Sequence, residues 1–164
     1  MKKNKIAILV IFVLIILSVV LFVGSKNNFK TADSPLNTFQ SFDYGFSLVV
    51  PEGITPSQFD EFGGHTILIQ NPDYQMQIYI TLFDEDISLT QERIEYDIPD
   101  MKMENSEEIK IDSVNAVSFL SDDNGQKYRQ IWFVHGGYLY QILSPASADD
   151  ITNELMQVWK WFSL

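Results

Sequence analysis

The hydrophobic and polar positions of this chain predict one membrane-crossing helix followed by one sheet-rich domain. Ile6 to Val23 is an apolar run interrupted only by Ser18. As a helix it would span roughly 27 Å, close to the hydrocarbon thickness of a bilayer. From Ser25 to about Gln40 the chain turns polar and reads as a linker. Strand patterns follow at Tyr44 to Val50, Thr66 to Gln70 and Tyr74 to Phe83, with Phe59 to Gly64 as a turn region. The third is the clearest, since Tyr74, Met76, Ile78, Ile80 and Leu82 alternate with Gln75, Gln77, Tyr79 and Thr81. Thr90 is placed to cap a short helix, with Leu89 and Ile94 as a hydrophobic staple and Pro99 as its stop.

Four more strands are predicted at Glu107 to Ile111, Val114 to Leu120, Tyr128 to Val134 and Tyr138 to Leu143. Asp112-Ser113, Asp123-Asn124-Gly125 and His135-Gly136-Gly137 supply the turns between them. The last two strands are apolar on both faces and belong at the centre of a sheet. Ser147 to Phe162 reads as a closing helix with Ser147 and Asp150 as a capping box. Its apolar stripe would be Ile151, Leu155, Val158, Trp159 and Phe162. The order β-β-β-α-β-β-β-β-α implies an α+β fold: a mainly antiparallel sheet of six to seven strands with helices on both faces. The expected organisation is a cytoplasmic stretch 1–5, a transmembrane signal anchor 6–24, a linker 25–40 and an extracytoplasmic domain 41–164.

Charge sharpens the topology. Lys2, Lys3 and Lys5 precede the apolar run, so the positive-inside rule keeps the N-terminus in the cytoplasm. Cleavage near Ser25 is the rival reading and would release the same domain into the same compartment; a signal peptide's apolar region is usually shorter. A pilin-type leader needs a Gly before the cut and a Glu soon after, and both are missing. All 22 acidic residues lie at Asp33 or later, against six basic ones, which leaves the domain near −16. That charge excludes nucleic acid and anionic lipid headgroups as partners. With no cysteine there is no lipoprotein anchor, disulfide or thiol nucleophile.

Three segments resemble the PsbP-like family, the α-β-α sandwich of a photosystem extrinsic subunit. They are Tyr44-Gly45-Phe46-Ser47-Leu48-Val49-Val50-Pro51; Ile109-Lys110-Ile111 through Ala116-Val117-Ser118-Phe119; and Gly137-Tyr138-Leu139-Tyr140-Gln141-Ile142 running on to Trp159 to Ser163. Where family members often carry a Trp after the first strand's proline, this chain has Glu52-Gly53-Ile54. The resemblance implies a sandwich fold and a binding or assembly role without enzymatic activity, in a membrane-anchored, bacterial-looking form. No functional residue carries over from it.

Candidate chemistry is sparse. His65 and His135 lack metal-ligand spacing, and His135 reads as an exposed turn residue. Aligning Gly125 as the sixth position of an EF-hand loop puts Leu120 at the first and Ile131 at the twelfth, so Asp122-Asp123-Asn124-Gly125 reads as a hairpin turn. Asp84-Glu85-Asp86 reads as a solvated turn. No catalytic residue, metal site or cofactor is expected. Met156, Trp161, Phe59 and Phe62 are the surplus apolar residues that could form a surface for a protein partner. The leading expectation is a non-enzymatic extracytoplasmic binding or assembly module tethered through 6–24. The alternative is an envelope hydrolase using loop carboxylates.

Overall fold

A computed structural model describes residues 37–50, 53–72 and 74–162. The expected anchor 6–24, the cleavage position near Ser25 and most of the linker lie outside these residues. Among the described residues no helix is long and apolar enough to cross a membrane.

Alternating apolar residues build two sheets. The chain runs through β1 (Asn37–Ser41), β2 (Phe46–Val50), β3 (Ser57–Glu61), β4 (Gly64–Asn71), β5 (Tyr74–Leu82) and α1 (Gln91–Asp97). It continues through β6 (Glu104–Ile111), β7 (Val114–Asp123), β8 (Gln126–His135), β9 (Tyr138–Pro145), α2 (Asp149–Gln157) and β10 (Lys160–Trp161). The larger sheet has seven strands in the order β3-β4-β5-β9-β8-β7-β6, all neighbours antiparallel. Only the β5–β9 pairing joins strands that are not successive. The doubly apolar β8 and β9 are interior strands, as their sequence predicts. A smaller sheet, β1-β2-β10, is also antiparallel.

The small sheet and α2 cover one face of the large sheet. Phe46, Leu48 and Val50 of β2 meet Ile67, Ile69, Ile78, Ile80, Phe133 and Tyr140, with Leu155, Met156 and Trp159 closing the core. On the opposite face α1 and its flanking loop place Leu89, Ile94, Ile98 and Met101 over Val117, Phe119, Trp132, Val134 and Leu139. Thr90 caps α1 by accepting from the Arg93 N–H, as its position predicts. Arg93 then donates twice to Glu85 and once to Asp97, fixing the acidic 84–86 loop to the helix.

The domain is α+β and dominated by its sheets, with two helices on opposite faces; three strands differ from the sequence expectation. Residues 37–40, expected in the linker, belong to β1, and residues 57–61 form β3 rather than a turn. Of β3, residues 59–61 are the part expected in the turn region 59–64; β1 and β3 are both outermost strands without a continuous apolar period, so periodicity alone does not reveal them. The closing helix ends at Gln157, and its predicted tail becomes β10. Trp159 and Trp161 are two residues apart, which would splay them across a helix but points both the same way in an extended chain. Extended, both reach the core, and aromatic residues favour that backbone. Trp159 stacks on Phe46 with centroids 4.1 Å apart and planes 15° apart. Asp112 accepts from the Trp161 N–H (2.9 Å), and Gly45 accepts from the Phe162 N–H (2.9 Å).

The predicted capping box is also absent. Ala146–Ala148 form a 3-10 turn, Ala148 takes the cap position without a side-chain hydrogen bond, and Asp149 is instead held by Arg129 (2.8 and 3.2 Å).

Trp159→Ala should cost about 3–5 kcal/mol, whereas Val158→Ala, on the predicted helical stripe but exposed in the fold, should stay within about 0.5 kcal/mol. Urea unfolding followed by far-UV circular dichroism checks both; equal losses would restore the helical reading of 158–162.

Candidate functional site

Three hairpin turns end together at one pole of the sandwich. Phe62-Gly63 joins β3 to β4, Gly136-Gly137 joins β8 to β9, and residues 42–45 join β1 to β2. Phe62 (φ 49°) and Gly63 (φ 82°) both have positive φ, the signature of a two-residue type I′ turn. Glycine or asparagine normally fills the first of these positions. A phenylalanine there costs roughly 1–2 kcal/mol in backbone strain.

The neighbouring side chains clamp that turn. The Tyr79 ring lies across Gly64, where an added Cβ would fall 2.6 Å from its Cζ and 2.7 Å from the Ile80 carbonyl oxygen. From there the Tyr79 hydroxyl donates to the carbonyls of Glu61 and Phe62, both at 3.3 Å. Burial raises its pKa to about 12, so it remains a donor at neutral pH. Glu61 accepts from Thr66 Oγ1 at 2.6 Å.

Beside this turn lies an open cleft of about 520 Å³. Tyr44, Tyr138, Leu82, Asp60, Glu61 and Phe62 line it, together with Gly63, Gly64, His65 and Ile80. Tyr44 packs edge-on against Tyr138 (5.1 Å between centroids) and lies 5.3 Å from the His65 ring. Burial, then Tyr138, Asp60 and Asp43, push the Tyr44 hydroxyl above its ordinary pKa, so it stays protonated. His65 Nδ1–H donates to Asp60 Oδ1 at 2.7 Å, since a carboxylate can only accept. Its Nε2 sits 3.4 Å from the Gln58 side-chain amide.

Chemically the cleft offers aromatic faces, exposed aliphatic surface and a carboxylate. The His65–Asp60 pair is what a hydrolase would need to orient a base. However, no Ser or Thr hydroxyl lines the cleft as a nucleophile, and Nε2 faces the Gln58 amide. Among the described residues no group of three or more His, Asp or Glu is placed to hold a metal.

The four residues expected at a partner surface do not share one. Met156 is 5% exposed inside the core, and Trp161 is half-buried against Phe46, Phe133, Tyr140 and Trp159. Met156 lies on the buried face of α2 with Thr152 and Leu155, and Trp161 follows the extended course of 159–161. Phe59 is exposed, and its register opposite Thr66 puts it on the sheet face away from His65. Phe62 alone reaches the cleft, 56% exposed. Leu82 (79%) lines the same cleft, and Phe42 (64%) lies in the β1–β2 turn of the same pole.

His135, expected as an exposed turn residue, is half-buried, with the Trp161 ring packed on it at 4.0 Å and tilted by 35°. Tyr44, Asp60 and Tyr138 carry no local motif; only the meeting of three hairpin ends brings them together. Asp122-Asp123-Asn124-Gly125 is a turn, in which Asp122 accepts from the Gly125 N–H (2.9 Å).

No protein-family model and no curated protein sequence matches the chain. Solved structures do match the fold. The solution structure of cyanobacterial PsbP (CyanoP) from Synechocystis sp. PCC 6803 superposes with a TM-score of 0.55 at 14% identity, covering 85% of this chain and 99% of that one. A crystal structure from Bacteroides thetaiotaomicron VPI-5482 superposes with a TM-score of 0.50 at 18% identity, covering 77% of this chain and 48% of that one. The fold is therefore PsbP-like.

Two outcomes follow from this pole. Phe62→Asn should raise stability by up to about 1 kcal/mol, because asparagine tolerates the left-handed backbone; a loss in denaturant titration would remove the strain argument. His135 is held below its ordinary pKa of 6.5, by burial and against the opposing pull of Asp86. The unfolded chain therefore binds the proton more readily, and the stability from neutral His135 is lost as pH falls below 6.5. Acidifying from about pH 7.5 to about pH 5.5 should lower the melting temperature more in the wild type than in His135→Gln. Equal shifts would exclude His135 as the cause.

Proposed function

We propose that this chain is a non-enzymatic extracytoplasmic binding module, tethered to the membrane through residues 6–24, which captures a partner at the cleft beside Phe62. The carrying observation is the strained, exposed Phe62 at the cleft rim. Its backbone would be better served by asparagine or glycine, so its aromatic side chain has a use that folding does not supply. Geometry supports the same reading. The linker enters β1 at Asn37, and β1 runs from there toward the pole that carries the cleft. Its five residues place the cleft end roughly 13 Å beyond the entry point. A membrane-tethered domain would then present the cleft away from its anchor. The PsbP-like fold fits a binding role, and the cleft brings aromatic, aliphatic and carboxylate groups together as recognition chemistry. The bacterial-looking, membrane-anchored form belongs to this reading as a whole.

The absence of cysteine makes a direct test available. Single-cysteine variants Leu82→Cys, at the cleft, and Gln70→Cys, on the opposite pole, are treated in intact cells of the native host with a membrane-impermeant maleimide that carries a photo-crosslinker. Both should label without permeabilisation, and irradiation should give a discrete adduct from position 82 only. Labelling that requires permeabilisation overturns the topology. No adduct at 82, or the same adducts at both positions, overturns the docking site.

A further inference from the structure

The two edges of the large sheet are treated differently. At one edge β6 carries Glu104, Glu107, Glu108 and Lys110, and its register with β7 breaks between Glu104 and Glu107, where Asn105 adopts φ 50°. Charges and irregular pairing are how sheets discourage another strand from adding. At the other edge β3 pairs regularly with β4 through all five residues, Ser57 to Asp60 are exposed, and Asp60 and Glu61 are its only charged residues. Among the described residues no strand pairs with its outer side, and it runs into the cleft: register places Gln58 and Asp60 on the His65 side, toward Tyr44 and Tyr138.

Electrostatics select what could lie there. Asp60 and Glu61 line the cleft, and none of the residues lining it is Lys or Arg. Arg93, Lys127, Arg129 and Lys160 are paired with carboxylates elsewhere. A cation over the face of a tyrosine and beside a carboxylate gains from both. Phe62 and Leu82 offer apolar contact for the aliphatic stem of such a side chain.

Resting on the docking reading above, we propose that the partner is an extended protein segment that adds to the β3 edge as a further strand and places an arginine or lysine side chain in the cleft. The cation lies against Tyr44 and Tyr138 and pairs with Asp60. Main-chain pairing supplies affinity, and the cleft supplies side-chain choice.

The full chain in detergent is titrated against a fluorescein-labelled, capped peptide alternating valine with arginine. Three probes accompany it: the same peptide with citrulline for arginine, one with alternate backbone nitrogens methylated, and free arginine amide as competitor. The arginine peptide should bind in a salt-sensitive manner. Citrulline should weaken it about tenfold, the loss expected from one cation–aromatic and ion-pair contact. Asp60→Asn and Tyr138→Leu should each weaken it about fivefold while circular dichroism stays unchanged. Backbone methylation should abolish binding. The proposal is overturned if citrulline binds equally, if the methylated peptide binds equally, or if free arginine amide competes as well as the peptide. Failure of every peptide alongside a persistent adduct at position 82 would sink the cationic segment and leave the docking site standing.

Discussion

The stack of Trp159 on Phe46 is the interaction on which the arrangement of this domain depends. The small sheet contributes Phe46, Leu48 and Val50 to the main core, and its third strand is only two residues long. Two backbone-paired residues cannot orient a sheet by themselves. What fixes them is the aromatic cluster they carry: Trp159 stacks on Phe46 and meets Phe133 edge-on, while Phe133 stacks on Tyr140. Such pairs add about 0.5–1.5 kcal/mol each beyond area burial, and they also specify direction. Asp112 on the β6–β7 turn and Gly45 on the β1–β2 turn then secure the backbone on either side.

This seam has a consequence at the pole of the sandwich. Because Phe46 is pinned, the turn just before it is pinned as well, and Tyr44 is carried to Tyr138 and His65. The cleft is thus built on the end of the large sheet and closed by Tyr44 from the small sheet's turn. It is lined by paired strands, at Gly64 and Ile80, and by hairpin tips such as Phe62-Gly63. Rigid support beneath exposed side chains suits recognition, because little order must be gained on contact.

How much of this the sequence discloses depends on which force is at work. The strands with apolar period, 66–70, 74–83 and 107–143, stand where alternation and turn residues place them, and Thr90 caps its helix as its position predicts. Periodicity is silent where a strand buries little, which is why residues 37–40 and 59–61 pass for linker and turn. It misleads at Trp159-Lys160-Trp161, where a helical extrapolation scatters side chains that an extended chain aligns. The cleft is the least legible part. Phe62 stands out on composition, but Tyr44, Asp60, Leu82 and Tyr138 come from four separate strand ends and turns. Pairing of β5 with β9 sets Leu82 beside Tyr138, and the seam between sheets adds Tyr44 to Tyr138 and His65. Met156 and Trp161 look surplus on a helical wheel, but Met156 lies on the buried face of α2 and Trp161 packs against the core from the extended segment after it.

Two departures from what stability favours coincide at this pole. A phenylalanine occupies a left-handed backbone position that asparagine or glycine would fill at lower cost, and β3 lacks the irregular pairing that interrupts β6. Either departure alone could be accidental drift within a stability margin. Their adjacency is harder to assign to drift, because both bear on one surface: Phe62 closes the hairpin whose first strand is that open edge. An unguarded edge invites self-association, yet the domain's charge near −16 opposes contact between two copies. The same charge favours a basic partner at that edge. Self-repulsion thus lets the edge stay open without pairing to itself, and complementarity determines what can pair with it.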